Sequence, residues 1–359
     1  MPDGLFGVQE NAMTKRKKTA SAKVPKMTDI ARIAGVNIST VSRALSGNTR
    51  VGHEQRERIL KLASERGYVI NPNASNLRSR RTQTLSVVIP LRHETGQALS
   101  DPFFVSMLGY LADEITQRGY GMFLKKVLPP MKNWLQLLIE SQRADGIIVI
   151  GQSTEHATIE AAAKAYRPLV VWGGHLPHQS YCTVGSDNVG GARAAVDHLI
   201  QSGRKRIVFM GDSKIPEMRL RHDGYRLALD QGSRAAAEDL QVPSHMTADT
   251  AYEAMRAYIR DGAKFDAVFA ATDVIAISAI RAISASGLSV PKDVAVVGFD
   301  DIAMAAYTNP PLTTVRQDLQ HGAKVLVDLV LRRLDGEDTP SATMPAELIV
   351  RESSTGRRR

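Results

Sequence analysis

The sequence predicts an α/β protein in two parts: a small all-α helix-turn-helix head, then a two-lobed body of doubly wound parallel sheets. Three observations carry this. The stretch from Thr28 to about Arg80 has helical spacing and no strand-like run. From Thr84 onward, short apolar runs of β-type residues alternate with segments of helical spacing, the pattern of parallel sheets covered by helices on both faces. That alternation fills residues 83–353, more than one sheet of ordinary size accommodates, which favours two stacked lobes with a cleft between them.

The first element is a tail. Residues 1–26 are rich in Lys, Ala and Ser without apolar periodicity and read as disordered. Thr14-Lys15-Arg16-Lys17-Lys18 could open a signal peptide, but no apolar segment follows it. Nowhere does a run approach the roughly 18 apolar residues that span a bilayer, so a cytoplasmic protein without membrane contact is expected. The single cysteine, Cys182, excludes an intrachain disulfide framework and reads as a small hydrophobe on a strand.

Charge separates the two parts. The chain carries net +9, yet residues 1–82 hold 16 Lys+Arg against 6 Asp+Glu, so the remainder is net −1. Phosphate attraction depends on local charge, and a basic module fused to a neutral body points to nucleic acid as a partner of the first part.

The head follows at residues 27–70. Thr28 is a candidate cap for a first helix whose apolar face is Ile30, Ala31, Ile33 and Ala34. Gly35 supplies a tight turn, and Asn37 starts a second helix from Ile38 to about Leu45, with Val41, Ala44 and Leu45 inward. Ile38, Ser39, Ser42 and Arg43 then face outward, where the start of a second helix can reach base edges. A third helix, about His53 to Arg66, closes the bundle through Ile59, Leu60 and Ala63, and Gly67 ends it. Residues 71–82 form a hinge: Asn71-Pro72 is a sound helix start, but the stretch is too short and polar to hold as an isolated helix.

In the body, strands are expected at Leu85–Pro90, Gly146–Ile150, Leu169–Trp172, Arg206–Met210, Ala267–Ala270 and Val294–Val297. Helices are expected at Phe103–Arg118, Asn188–Ser202, Arg219–Asp230 and Asp273–Ser286. Residues 354–359 read as a second basic tail. A Gly-x-Ser-x-Gly elbow, a phosphate-cradling Gly-rich loop and a His/Cys cluster at metal spacing are all missing, so neither an enzyme nor a cofactor is expected. A transport binding protein would account for the body without the head, and an architectural DNA binder for the head without the body.

The strings Thr28-Asp29-Ile30-Ala31-Arg32-Ile33-Ala34-Gly35-Val36 and Ser39-Thr40-Val41-Ser42-Arg43-Ala44-Leu45 closely resemble the head of the lac/gal repressor family. The resemblance continues through Asn71-Pro72-Asn73-Ala74, Leu77-Arg78, Ser186-Asp187-Asn188, Val297-Gly298-Phe299-Asp300-Asp301 and Pro310-Pro311-Leu312-Thr313-Thr314-Val315, in family order. It implies a homodimeric transcription regulator, a repressor, that binds a pseudo-palindromic operator and whose affinity a small-molecule effector, a sugar or sugar derivative, modulates. The short chain beyond Glu352 favours a dimer over a tetramer.

What the resemblance implies is carried residue by residue. Ile38, Ser39 and Arg43 take the family's major-groove positions. Arg43 can donate two hydrogen bonds to guanine, or else contact a phosphate, and Ile38 can meet a thymine methyl. Thr40 and Ser42 fit phosphate contacts or local caps. In the hinge, Asn73, Leu77 and Arg78 match minor-groove positions, with Leu77 as the wedge that opens the central base step.

The body resembles the family's sensor core, itself similar to periplasmic sugar-binding proteins, with two lobes and three crossovers and a ligand in the cleft near the carboxyl ends of strands. Phe103 and Phe104 after the first strand, Arg221 and Asp300 are expected at the effector. Thr272 stands where many sugar-binding members carry Asn. Trp172 fits either a sugar-stacking or a core role, Asp273 either a ligand contact or a helix cap, and Gln152 is a further candidate. Asp187 and Asn188 read as turn and cap residues.

Overall fold

The computed structural model describes residues 25–45, 50–68, 81–91, 96–129, 131–231 and 239–355. The chain divides into two units, Met1–Ser79 and Arg80–Arg359.

In the first unit, helices α1 (Met27–Ala34), α2 (Ile38–Leu45) and α3 (His53–Glu65) enclose a core of Ile30, Ala34, Val41, Ala44, Val51 and Ile59. Gly35 adopts φ +67, a left-handed conformation that suits glycine, and the Val36 N–H donates back to the Ala31 carbonyl. The start of α1 differs from expectation. Thr28 lies inside the helix, and the Asp29 carboxylate instead accepts from the Lys26 N–H at 2.9 Å, satisfying a donor that the helix itself leaves open. Leu62 rather than Leu60 packs against the core from α3.

The second unit holds two sheets. The strands are β1 (Thr84–Pro90), β2 (Gly121–Val127), β3 (Gly146–Ile150), β4 (Leu169–Trp172), β5 (Cys182–Ser186), β6 (Ile207–Met210), β7 (Leu240–Val242), β8 (Ala267–Ala270), β9 (Ala295–Asp300), β10 (Thr313–Arg316), β11 (Ala342–Met344) and β12 (Glu347–Ile349). The first sheet has the order β11-β5-β4-β3-β1-β2 and the second β12-β10-β9-β8-β6-β7. All pairings are parallel except that of β12 with β10.

The helices are α4 (Pro102–Gln117), α5 (Trp134–Glu140), α6 (His156–Ala165), α7 (Asn188–Gln201), α8 (Pro216–Gln231), α9 (Ala248–Arg260), α10 (Asp273–Ala285) and α11 (Leu319–Leu334). Period-2 alternation sorts the apolar strands onto two helical layers. Leu85, Val87, Ile148 and Ile150 face α4 and α11, while Val88, Ile147 and Val149 face α5 and α6. Because α7 packs on the second sheet and α11 on the first, the chain crosses between lobes three times: from β5 to α7, from β10 to α11, and from β11 to β12.

One strand that pattern reading omitted has an interrupted periodicity. Strand β2 carries Lys125 and Lys126 and lies at a sheet edge, with Met122 and Leu124 exposed. The expected basic tail is also shortened, because Ser354 is fully buried and bonds to Thr313 Oγ1 at 2.7 Å, so residue 354 belongs to the folded body.

Candidate functional site

A cavity lies between the two lobes, with about 720 Å³ of empty space partly open to solvent. Phe103, Phe104, Trp172, Arg221, Thr272 and Asp300 all line it.

The first lobe contributes the aromatic wall. The Asp101 carboxylate caps α4 by accepting from the Phe103 N–H at 3.0 Å, which fixes the helix start and aims its first turn at the cavity. Phe103 and Phe104 meet edge to face, centroids 5.6 Å apart. Trp172 ends β4 and is 4% exposed, so it combines a core position with a face on the cavity.

The second lobe supplies the charged wall. Helix α8 crosses α7 at Gly224, where a Cβ would come 2.3 Å from the Val189 carbonyl oxygen. That close crossing lets Arg221 Nε donate to Asn188 Oδ1 at 2.9 Å. Arg221 Nη1 donates to the Ala271 carbonyl, and its guanidinium lies 3.8 Å from the Phe299 ring centroid. Asp300 ends β9 with φ +127, a conformation that costs a non-glycine residue about 1–3 kcal/mol. It is secured by Gln317 Nε2, which donates to Oδ1 at 2.7 Å, and by Arg221 Nη1 at 3.5 Å. Burial pushes the Asp300 carboxyl up to about 8 against the pull of Arg221, and burial also pushes Asp101 and Glu217 up.

Two expectations need correction. Thr272, not Asp273, caps α10, its Oγ1 accepting from the Ile275 N–H at 3.3 Å. Asp273 is fully buried and accepts from the Ile302 N–H and from Thr314 Oγ1, tying the end of β9 to β10 outside the cavity lining. Gln152 is also buried behind the wall, donating to the Gly174 carbonyl and to Tyr181 Oη. Asp187 caps α7 through the Gly190 N–H.

Sequence reasoning missed Gln97, Glu217, Met246 and Gln317 in the lining. Glu217 precedes Arg221 by four residues, so one turn of α8 sets both on the same side, and that spacing was a usable signal. Gln317 follows β10 at the second crossover, and a crossover is a place to look once the topology is known. Gln97 lies in a loop without periodicity and gave no signal.

In the head, Ile38, Ser39 and Arg43 are exposed on α2 and Thr40 and Ser42 are half-buried. Asn73, Leu77 and Arg78 lie outside the described residues. Among the described residues, no group of His, Cys, Asp and Glu could hold a metal ion, and no helix is long and apolar enough to cross a membrane.

A helix-turn-helix unit joined to a two-lobed α/β body with an inter-lobe cavity defines a class of proteins, and the comparisons with known proteins give its family. Residues 26–71 match the sequence profile of the bacterial regulatory proteins of the lacI family, and residues 196–354 match that of the periplasmic binding protein-like domain. The chain is 32% identical over 336 residues to the HTH-type transcriptional regulator CelR of Thermobifida fusca, covering 92% of this chain and 98% of that one. It is also 32% identical over 333 residues to the HTH-type transcriptional regulator AscG of Escherichia coli K12, covering 91% and 97%. A solved CelR–cellobiose complex aligns with TM-score 0.67 at 30% identity, covering 92% of this chain and 99% of that one. The lac repressor dimer bound to operator and an anti-inducer shares the fold, with TM-score 0.83 at 23% identity over 93% and 100% of the two chains. The chain belongs to the lacI family of bacterial regulatory proteins.

Proposed function

We propose that this protein is a homodimeric, cytoplasmic transcription repressor without enzymatic activity, whose operator affinity is set by a sugar or sugar derivative bound between the lobes. The observation that carries the reading is the convergence of Arg221 and Asp300 with an aromatic wall in one inter-lobe cavity, in a chain whose first unit holds a helix-turn-helix. Phe103, Phe104, Trp172, Arg221, Thr272 and Asp300 contact the ligand. Aromatic faces cover apolar sugar C–H surface, while the Arg–Asp pair serves hydroxyls as donor and acceptor.

On the DNA side, Arg43 reads a guanine, Ile38 meets a thymine methyl, and Ser39, Thr40 and Ser42 complete the half-site contacts. Asn73, Leu77 and Arg78 contact the minor groove at the centre of the operator. That CelR is solved with cellobiose, and another lacI-family regulator with ribose, supports a carbohydrate effector here.

The test is fluorescence anisotropy of the full chain on DNA from its own upstream region, at one fixed salt concentration, with and without a panel of sugars. The reading requires specific binding that exceeds random-DNA binding and changes with at least one sugar. Equal affinity for upstream and random DNA in every condition would refute it.

A further inference from the structure

Strand β9 leads into two consecutive residues with positive φ, Asp300 at +127 and Asp301 at +55. An aspartate tolerates the second value, whereas the first is one that glycine accepts far more readily. Asp300 therefore keeps its place in the cavity lining only while its surroundings impose that conformation. Its own side chain supplies too little. Gln317 Nε2 donates one hydrogen bond to Oδ1 at 2.7 Å, and Arg221 Nη1 makes a charge contact at 3.5 Å. One hydrogen bond is of the same order as the backbone strain and leaves no margin.

The anchoring falls on the next two residues. Asp301, whose side chain is 8% exposed, accepts from Arg316 Nε through Oδ2 and from Arg351 Nη2 through Oδ1, both at 2.7 Å. Hydrogen bonds of this length between ionised groups are the strong ones. Their donors come from separate elements, since Arg316 ends β10 and Arg351 lies two residues beyond β12. Arg351 is fixed in turn: Nη1 donates to the Leu312 carbonyl and its backbone N–H to Thr313 Oγ1, each at 2.8 Å. Two residues further on, Ser353 Oγ accepts from the Thr313 N–H at 2.8 Å and donates to the Val296 carbonyl at 2.6 Å, which seats this segment on β9 and β10. The Ile302 N–H donates to the buried Asp273 carboxyl at 2.9 Å.

The structure assigns Asp301 as a positioning residue of the effector site: gripped by Arg316 and Arg351, it imposes the backbone conformation that carries the Asp300 carboxyl into the cavity. Neither arginine lines the cavity, so the segment around Arg351 supports the site without touching what binds there. The assignment rests on the regulator reading above, in which Asp300 contacts the effector, and adds the residues that decide where Asp300 stands. A plain staple between β10 and the Arg351 segment would contribute stability but would leave φ at Asp300 unmoved.

The experiment joins a crystal structure of the full chain carrying Asp301→Ala to calorimetric titration of parent and variant with glucose, cellobiose and ribose. In the variant, Asp300 leaves the positive-φ region and its bond to Gln317 breaks. Whichever of the three sugars binds the parent binds the variant at least about tenfold weaker, which is about 1.4 kcal/mol. If Asp301→Ala does not fold, Arg351→Met, which removes one arm of the clamp, decides by the same measures with a loss of at least about threefold. An Asp300 that keeps its positive φ overturns the assignment. A relaxed Asp300 with sugar affinity within about twofold of the parent also overturns it, because the carboxyl is then no ligand contact. In both cases a sugar that still alters operator affinity leaves the regulator reading standing. A parent that binds none of the three sugars, with Asp300 relaxed in the variant, upholds the clamp and counts against the regulator reading.

Discussion

Arg221 Nη1 stands 3.5 Å from Asp300 Oδ1, and both side chains are more than nine-tenths buried between the lobes. At that separation the two meet as a charge contact without a hydrogen bond between them, flanked by Gln317 on one side and the Phe299 ring on the other. Burial lowers the Arg221 guanidinium and raises the Asp300 carboxyl, because removing both charges from water costs more than their mutual attraction returns. A site with this balance is unfavourable when empty and improves when a ligand completes its hydrogen bonds.

The first prediction follows from Asp300, whose carboxyl is raised to about 8. The native protein keeps a proton there that the unfolded chain has already released, so stability falls as pH rises from the unfolded value near 4 to the folded value. His198, lowered by burial, works in the opposite direction but only below its ordinary value of 6.5. Between pH 6.5 and 8.5, the ligand-free protein should therefore lose on the order of 1–2 kcal/mol through this group, seen as a falling melting temperature. Asp300→Asn should flatten that slope. A melting temperature that rises across the window would contradict the assignment.

Gly224 is the hinge-point of the α7–α8 crossing. Gly224→Ala should cost about 1–3 kcal/mol, because the new methyl meets a backbone carbonyl that cannot rotate away. Denaturant melts of parent and variant measure it. A variant as stable as the parent would show that the helices shift freely and that Arg221 does not depend on this crossing for its position.

In the head, Arg43→Ala should cost about 1–3 kcal/mol of operator affinity and relax preference at one base pair in each half-site. Competition with single-base operator variants reads this out. A uniform loss over all sequences would make Arg43 a phosphate contact.

The sequence made much of this legible for identifiable reasons. Gly146–Ile150 and Leu169–Trp172 match their strands to the residue, since uninterrupted apolar runs between polar turns leave little freedom in the bounds. Strand β2 and helix α5 were illegible because an edge strand leaves its apolar residues exposed and a seven-residue helix is too short for its period to repeat. In the site, motif-borne residues such as Arg221 and Asp300 stood out, whereas Gln97 and Met246 reach the lining from irregular segments. Asp273 is neither the ligand contact nor the helix cap between which the sequence left it, although a carboxylate at a helix start often serves as one or the other. Thr272 already holds that position, and the buried Thr314 hydroxyl claims Asp273 instead.

Leu77→Ala should separate ligand from DNA at the hinge. On the proposed reading Leu77 is the wedge that opens the central base step, so operator affinity and its response to ligand both depend on it. Removing the wedge should lower operator affinity while leaving random-DNA affinity nearly unchanged, and ligand should then alter the residual binding much less than in the parent. An undiminished ligand effect would reduce the hinge to a tether.

The most direct measurement is operator affinity of the parent, Arg221→Ala and Asp300→Ala, each with and without the sugar that shifts the parent. If the cavity controls the head, both variants bind ligand-free operator within about threefold of the parent and lose the ligand effect, because linkage requires a ligand that distinguishes two states. If both variants still respond to the sugar as the parent does, the cavity is not the switch and the account is wrong.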